Sequence, residues 1–103
     1  MILPEPAFTL GVEEEYLLVD RETRDLVSDP PPELMQECKK RCGDQVSAEL
    51  MRSQIEIGTR VCSDVKVANE EVRELRQIIA EVTSKYGYAP IAVSTHPFAR
   101  WLS

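Results

Sequence analysis

A chain of 103 residues with 43% hydrophobic content can build one domain around a real core and has no room for two. Its 18 acidic against 12 basic residues give a formal charge of −6, which argues against a nucleic-acid footprint and against an anionic membrane surface, leaving small molecules, cations or proteins as partners. No apolar run approaches the ~18 residues of a membrane span, and the opening MILPEPAF has neither the basic start nor the long apolar segment of a signal peptide, so a cytoplasmic location is expected.

After a short proline-containing lead-in, residues 7–20 read as a β-strand that carries three consecutive glutamates in FTLGVEEEYLLVD. Glutamate is a poor strand former, and side chains two apart share a face, so Glu13 and Glu15 project side by side while Glu14 points the opposite way. Two strand steps are roughly 6.6 Å, and two carboxylates at that separation repel unless water or a cation lies between them. A hard divalent ion such as Mg²⁺ takes oxygen ligands, and alternate carboxylates on a rigid strand suit one. The competing reading is an acidic edge strand facing water, where charge discourages edge-to-edge aggregation.

Asp20 to Arg24 is polar and turn-like, and Asp25 to Ser28 is expected to return as a brief strand, making a hairpin. Ser28 or Asp29, followed by Pro30, Pro31 and Pro32, predicts the start of a short helix over Glu33–Cys42, stopped by Gly43. From Met51 the residues alternate, with Met51, Ser53, Ile55 and Ile57 on one face and Arg52, Gln54, Glu56 and Gly58 on the other. That pattern predicts a half-buried strand with a polar working face. If this strand shares a sheet with the first, Glu56 can join Glu13 and Glu15 around a common centre. Glu49 lies an odd number of residues before Glu56, so it can join only if a bulge, a turn or a change of element intervenes.

Ser63 or Asp64 can cap the next element, whose apolar positions Val65, Ala68, Val72, Leu75, Ile79, Val82 and Tyr86 are spaced by three and four. This is an amphipathic helix that covers a sheet, ended by Gly87, with Glu70, Glu71, Arg73, Glu74, Arg76 and Glu81 on a solvated face. Ala89 to Ser94 then reads as a short internal strand that delivers Thr95, His96, Pro97, Phe98 and Ala99 to a loop at its end. Binding groups collect in such loops, and His96 is the one imidazole in the chain; a structural role for it is the alternative. The three cysteines, Cys38, Cys42 and Cys62, are too few and too scattered for a disulfide scaffold, and are expected to be buried free thiols.

Three segments taken together, GVEEEYLLVD (residues 11–20), AELMRSQIEIGTRVCSDV (residues 48–65) and STHPFARW (residues 94–101), resemble in order and spacing the carboxylate-amine ligase family related to glutamate-cysteine ligase. The resemblance implies an α+β fold like the catalytic domain of glutamine synthetase, a curved, mostly antiparallel sheet covered by helices, present here in part. It also implies an enzyme that uses ATP and Mg²⁺ or Mn²⁺ to phosphorylate a carboxylate of an amino acid before an amine displaces phosphate. By residue, Glu13 and Glu15 match the family's first acidic pair, Glu56 the acid on the second strand and Glu49 the acid seven positions earlier, all four as metal ligands. Thr95 and His96 fall in the substrate-side segment. Arg52, on the polar face with Glu56, and Arg60 just past it are placed to orient a carboxylate or phosphate, or to pair with a nearby acid. Family members are several times longer, so this chain is expected to be an N-terminal part of a ligase domain that associates with itself or with the remaining portion. A non-catalytic acidic assembly domain is the alternative function.

Overall fold

Ala68, Val72, Leu75, Ile79 and Val82 fall on one side of a 20-residue helix, α2 (Val65–Ser84), and burying that side determines which face of the sheet is covered. The computed structural model describes residues 7–48, 53–62 and 64–102, with the side chains of residues 7, 8 and 96–102 not described. The order of elements is β1 (Ala7–Asp20), α1 (Pro32–Cys42), a single 3-10 turn (Gly43–Gln45), β2 (Val46–Ala48), β3 (Gln54–Gly58), α2 and β4 (Tyr88–Leu102). Four strands form one sheet in the order β2-β3-β1-β4, every neighbouring pair antiparallel. Helix α2 packs against β1 and β4, and α1 against β2 and α2. The fold is therefore α+β, an antiparallel sheet with both helices on one face, as expected.

The starts of the helices follow different chemistry. Asp64 is the N-cap of α2, its carboxylate accepting from the Lys66 amide at 2.8 Å. Ser28 and Asp29 do not cap α1: the N-cap is Pro31, with no side-chain cap, and proline in the first turn supplies the preset backbone instead. The stop at Gly87 holds in modified form. Helix α2 ends at Ser84 and a turn follows in which Gly87 takes φ 76°, a left-handed conformation that glycine adopts without steric cost. Val65 is exposed at the first turn, and Tyr86 lies past the helix, half-buried against the core.

Strand β3 has the expected phase, with Ser53, Ile55 and Ile57 buried and Gln54, Glu56 and Gly58 turned to the other face. The return strand over residues 25–28 is reduced to one bridge, Val19 with Leu26, because Asp20 instead ties the turn with its carboxylate on the amides of Glu22 and Thr23, at 2.8 and 3.0 Å. The largest departure is β4. Residues 95–99 are not a loop; the strand runs 15 residues to Leu102, pairing with β1 along its whole length. Nor is β4 internal: it lies at the edge of the described sheet, with Ile91 and Val93 exposed. An edge position tolerates Pro90 and Pro97, which have no amide hydrogen to give.

Tyr16, Leu18, Leu34, Cys38, Ile55, Ile57, Leu75, Ile79 and Val82 make the core between sheet and helices. Cys38, Cys42 and Cys62 are free and buried, and burial pushes the Cys38 thiol up to about 11, so it is an apolar filler at neutral pH. Ile79→Ala is expected to cost about 3 kcal/mol of stability through the cavity it leaves. Val65→Ala, at the exposed end of the same stripe, should change it by less than about 0.5 kcal/mol. Urea unfolding of both variants checks this, and equal losses would contradict the assigned burial.

Candidate functional site

Strand alternation divides the glutamate run between two environments. Val12, Glu14, Tyr16 and Leu18 turn toward the helices, whereas Glu13, Glu15 and Leu17 turn to the open face. Glu14 is therefore carried into the interface with α2, where it is 1% exposed. An ionised carboxylate there needs a full set of donors, and it has one. Arg76 Nε donates to Oε1 at 2.7 Å while its Nη2 donates to Oε2, the Tyr16 hydroxyl donates to Oε1, and the Thr95 hydroxyl donates to Oε2 at 2.8 Å. The forked contact with Arg76 holds the Glu14 carboxyl down at about 2 against the opposing effect of burial, with Tyr16 and Thr95 assisting. Burial and the bond to Glu14 push the Tyr16 phenol well above its ordinary range, so it stays a donor. Strands β1 and β4 and helix α2 thus meet at one side chain.

The open face carries the other acids. Glu15 lies directly across from Glu56 on β3 and from Ser94 on β4, and Glu56 in turn faces Ser47 on β2. Ser47, Glu56, Glu15 and Ser94 thereby form a row across all four strands. In the next such row Glu13 stands between Gly58 and His96. Gly58 adjoins Glu13: a Cβ added there would lie in ordinary van der Waals contact, 3.8 Å from Glu13 Cγ. A register irregularity between Glu15 and Tyr16, opposite Ala92 to Ser94, kinks the ladder beside the acidic row. The reading of β1 as an acidic edge strand is overturned, since β1 lies between β3 and β4.

Of the residues expected at a site, Glu13, Glu15 and Glu56 are thus brought to one face. Glu49 and Arg52 lie outside the described residues; among the described ones β2 and β3 are separate strands paired antiparallel. Thr95 faces α2 and is bonded to Glu14. His96 is in β4 opposite Glu13, and its side chain is outside the description. Arg60 is exposed, its amide donating to Glu71 at 2.9 Å. An apolar cavity of about 520 Å³ beneath the start of α1, lined in part by Leu18, Pro31, Leu34 and Ile55, lies on the helix side and does not open onto the acidic row.

Among the described residues no three His, Cys, Asp or Glu side chains form a group that could hold a metal ion by themselves. The donor chemistry nonetheless suits a hard divalent ion, since Mg²⁺ is usually held through one or two carboxylates, with water and substrate phosphates supplying the remaining oxygens. A carboxylate pair across one row, a third acid in the next and a buried Ser94 hydroxyl oxygen without a hydrogen-bond partner meet that description.

Sequence reasoning assigned Arg76 to a solvated face and gave Glu14 no role. The signal is in the sequence: Glu14 is a charged residue between the apolar Val12, Tyr16 and Leu18 on one face of the strand, so its burial calls for a cation, and Arg76 borders the buried stripe one turn after Val72. Glu71 is another such residue, taking hydrogen bonds from Gln45 and from the Arg60 amide.

The structure is thus an antiparallel α+β sheet whose covered face holds a buried carboxylate and whose open face presents further acids. The model of glutamate-cysteine ligase family 2 matches residues 9–103, and the chain belongs to that family. It is 52% identical over 101 residues to a protein of Rhodospirillum rubrum named "Putative glutamate--cysteine ligase 2", covering 94% of this chain and 26% of that protein. Proteins of the same name from Jannaschia sp. and Paracoccus denitrificans are 51% and 53% identical, over 91% and 94% of this chain and 25% and 26% of their own length. The chain spans about a quarter of the length of the curated relatives it matches. Among the described residues no helix is long and apolar enough to cross a membrane.

The buried carboxylate makes a signed prediction. Because its folded value of about 2 lies below the ordinary 4.5, Glu14 contributes stability that is present in full above pH ~4.5 and is lost as pH falls toward ~2, about 3 kcal/mol in all. Glu14→Gln should flatten the acid limb of a stability-versus-pH curve. Arg76→Met, which leaves the carboxylate with its two hydroxyl donors, should cost about 2–3 kcal/mol at pH 7, at the low end for a broken buried pair because the Arg76 side chain is 54% exposed. Urea unfolding between pH 2 and 8 measures both.

Proposed function

We propose that the chain is an N-terminal part of the catalytic domain of an ATP-dependent carboxylate-amine ligase of the glutamate-cysteine type. The observation that carries the reading is Glu15 directly across from Glu56 with Glu13 on the same open face, on a strand in the middle of the sheet. Family membership and the names of the relatives support it. Solvent alone is a poor reason to place three acids on the open face of a central sheet pair, because like charges directly opposite destabilise the pairing. A ligand that needs anionic oxygen is a sufficient one.

In this proposal Glu13, Glu15 and Glu56 supply oxygens to Mg²⁺ or Mn²⁺, with Glu49 as a fourth. The bound ion would neutralise charge on the nucleotide phosphates and on the phosphoryl group in transfer. The residues of this chain do the positioning. The sheet ladder holds the acids at fixed spacing, Arg52 orients a carboxylate or phosphate by its planar fork, and His96 stands opposite Glu13 on the substrate side. Thr95 takes part through Glu14, whose carboxylate its hydroxyl engages. An amino-acid carboxylate takes the terminal phosphoryl group of ATP to give an acyl-phosphate and ADP, and an amine then attacks the acyl carbon and displaces inorganic phosphate to give the amide; the substrates are small molecules. The remaining donors lie in the portion of the family sequence that this chain does not span.

A second reading, a non-catalytic assembly domain, is favoured by one observation: Ile91 and Val93 on β4 are 49% and 47% exposed, apolar side chains on an edge strand suited to cover by a partner surface. Cover by a second copy or by the rest of a longer ligase would satisfy it. Titration calorimetry with Mg²⁺, with and without ATP, separates the two readings. Saturable binding that tightens with ATP and weakens about tenfold in Glu13→Gln and in Glu56→Gln, with unfolding midpoints unchanged, is the expected result. Variants that bind like the parent would refute the assignment of ligands. Absence of binding, with a concentration-dependent dimer in sedimentation equilibrium, would favour the assembly role.

A further inference from the structure

Two neighbouring acids of β1 face two neighbouring hydroxyls of β4: Glu14 is across from Thr95 on the helix side, and Glu15 is across from Ser94 on the open side. The first pair is made, with the Thr95 hydroxyl 2.8 Å from the Glu14 carboxylate. In the second, the Ser94 hydroxyl oxygen is buried and has no hydrogen-bond partner. A buried hydroxyl left without a partner costs about 1–3 kcal/mol, so such groups in native proteins have a reason. Side chains directly opposite on antiparallel strands have Cβ atoms roughly 5 Å apart, which is within the reach of a serine hydroxyl and a glutamate carboxylate, as the Glu14–Thr95 pair demonstrates one step away. The register irregularity after Glu15 lies against the same stretch of β4, and bulges of this kind re-aim side chains near sites.

We propose that Ser94 is a positioning residue for Glu15, its hydroxyl donating to one carboxylate oxygen so that the other is held toward a divalent cation on the open face. The inference deepens the ligase reading and rests on it for the cation. An acid that ligates a metal through one oxygen gains in rigidity when a fixed donor holds the second, and losing such a partner costs about 10- to 100-fold in metal affinity. The Glu14–Arg76–Thr95 contact on the far side fixes β4 against β1 so that Ser94 stays in register.

Two measurements on the chain test this. In the first, urea unfolding at pH 7 is followed for Ser94→Ala, Glu15→Ala and the double variant, and the changes in midpoint are expected to be non-additive. Additive changes would overturn the pair, whether or not a metal binds. In the second, Mn²⁺ affinity is read by electron paramagnetic resonance, with about a tenfold loss expected in Ser94→Ala and recovery in Ser94→Thr, which restores the hydroxyl. Coupled midpoints with unchanged Mn²⁺ affinity in Ser94→Ala would overturn the positioning role. Coupled midpoints with no Mn²⁺ binding by the parent would uphold the Ser94–Glu15 contact and defeat the cation site, and with it the ligase reading.

Discussion

A carboxylate removed from water at the junction of sheet and helix is tolerable only if every lone pair that water served is served again. Glu14 meets that requirement through three side chains from three parts of the chain: Tyr16 two residues away, Arg76 from the middle of α2 and Thr95 from β4. The arrangement is therefore a constraint on geometry as much as a source of stability. Sliding β1 by one residue relative to β4 would turn Glu14, Tyr16 and Leu18 to the open face and carry Glu13 and Glu15 into the apolar interface, so the buried charge selects one register among those that hydrogen bonding alone permits.

Because neighbouring residues of a strand point to opposite faces, locking Glu14 inward commits Glu13 and Glu15 outward. The covered face then holds the hydrophobic core and the charge network, and the open face holds the groups with chemistry to offer. Helix α2 sits over β1 and β4 and keeps the same pair of strands aligned that present Glu13, Glu15 and Ser94 on the other side. Rigid elements of this kind are better supports for a ligand set than loops, because the ladder leaves little freedom at each Cα.

Much of the fold was legible where periodicity and caps agree. The three-and-four spacing from Ala68 to Val82, with Asp64 before it and Gly87 after it, identified α2 within a turn at its C-terminal end. The alternation from Ser53 to Gly58 gave β3 its correct phase. Two local expectations were overturned. Ser28 and Asp29 suggested a side-chain cap that the prolines at the start of α1 make unnecessary, and the short apolar run over residues 89–94 suggested a strand ending in a loop where the chain continues as a long edge strand. How far β4 extends depends on the length of β1 beside it, which is a property of the assembled sheet.

By itself the amino-acid sequence determined that this is an acidic α+β chain, that Glu13, Glu15 and Glu56 occupy polar faces of strands, and which ligase family it resembles, because these follow from local period, composition and motif order. Tertiary structure alone decided that β1 is central, that Glu56 is directly opposite Glu15, that Arg76 leaves the solvated face of its helix for Glu14, and that Ser94 stands beside the acids without a partner. Each of these is a pairing between residues far apart in the chain. Strand order and register arise from burying one face of the sheet under two helices at once, and no local pattern carries that information.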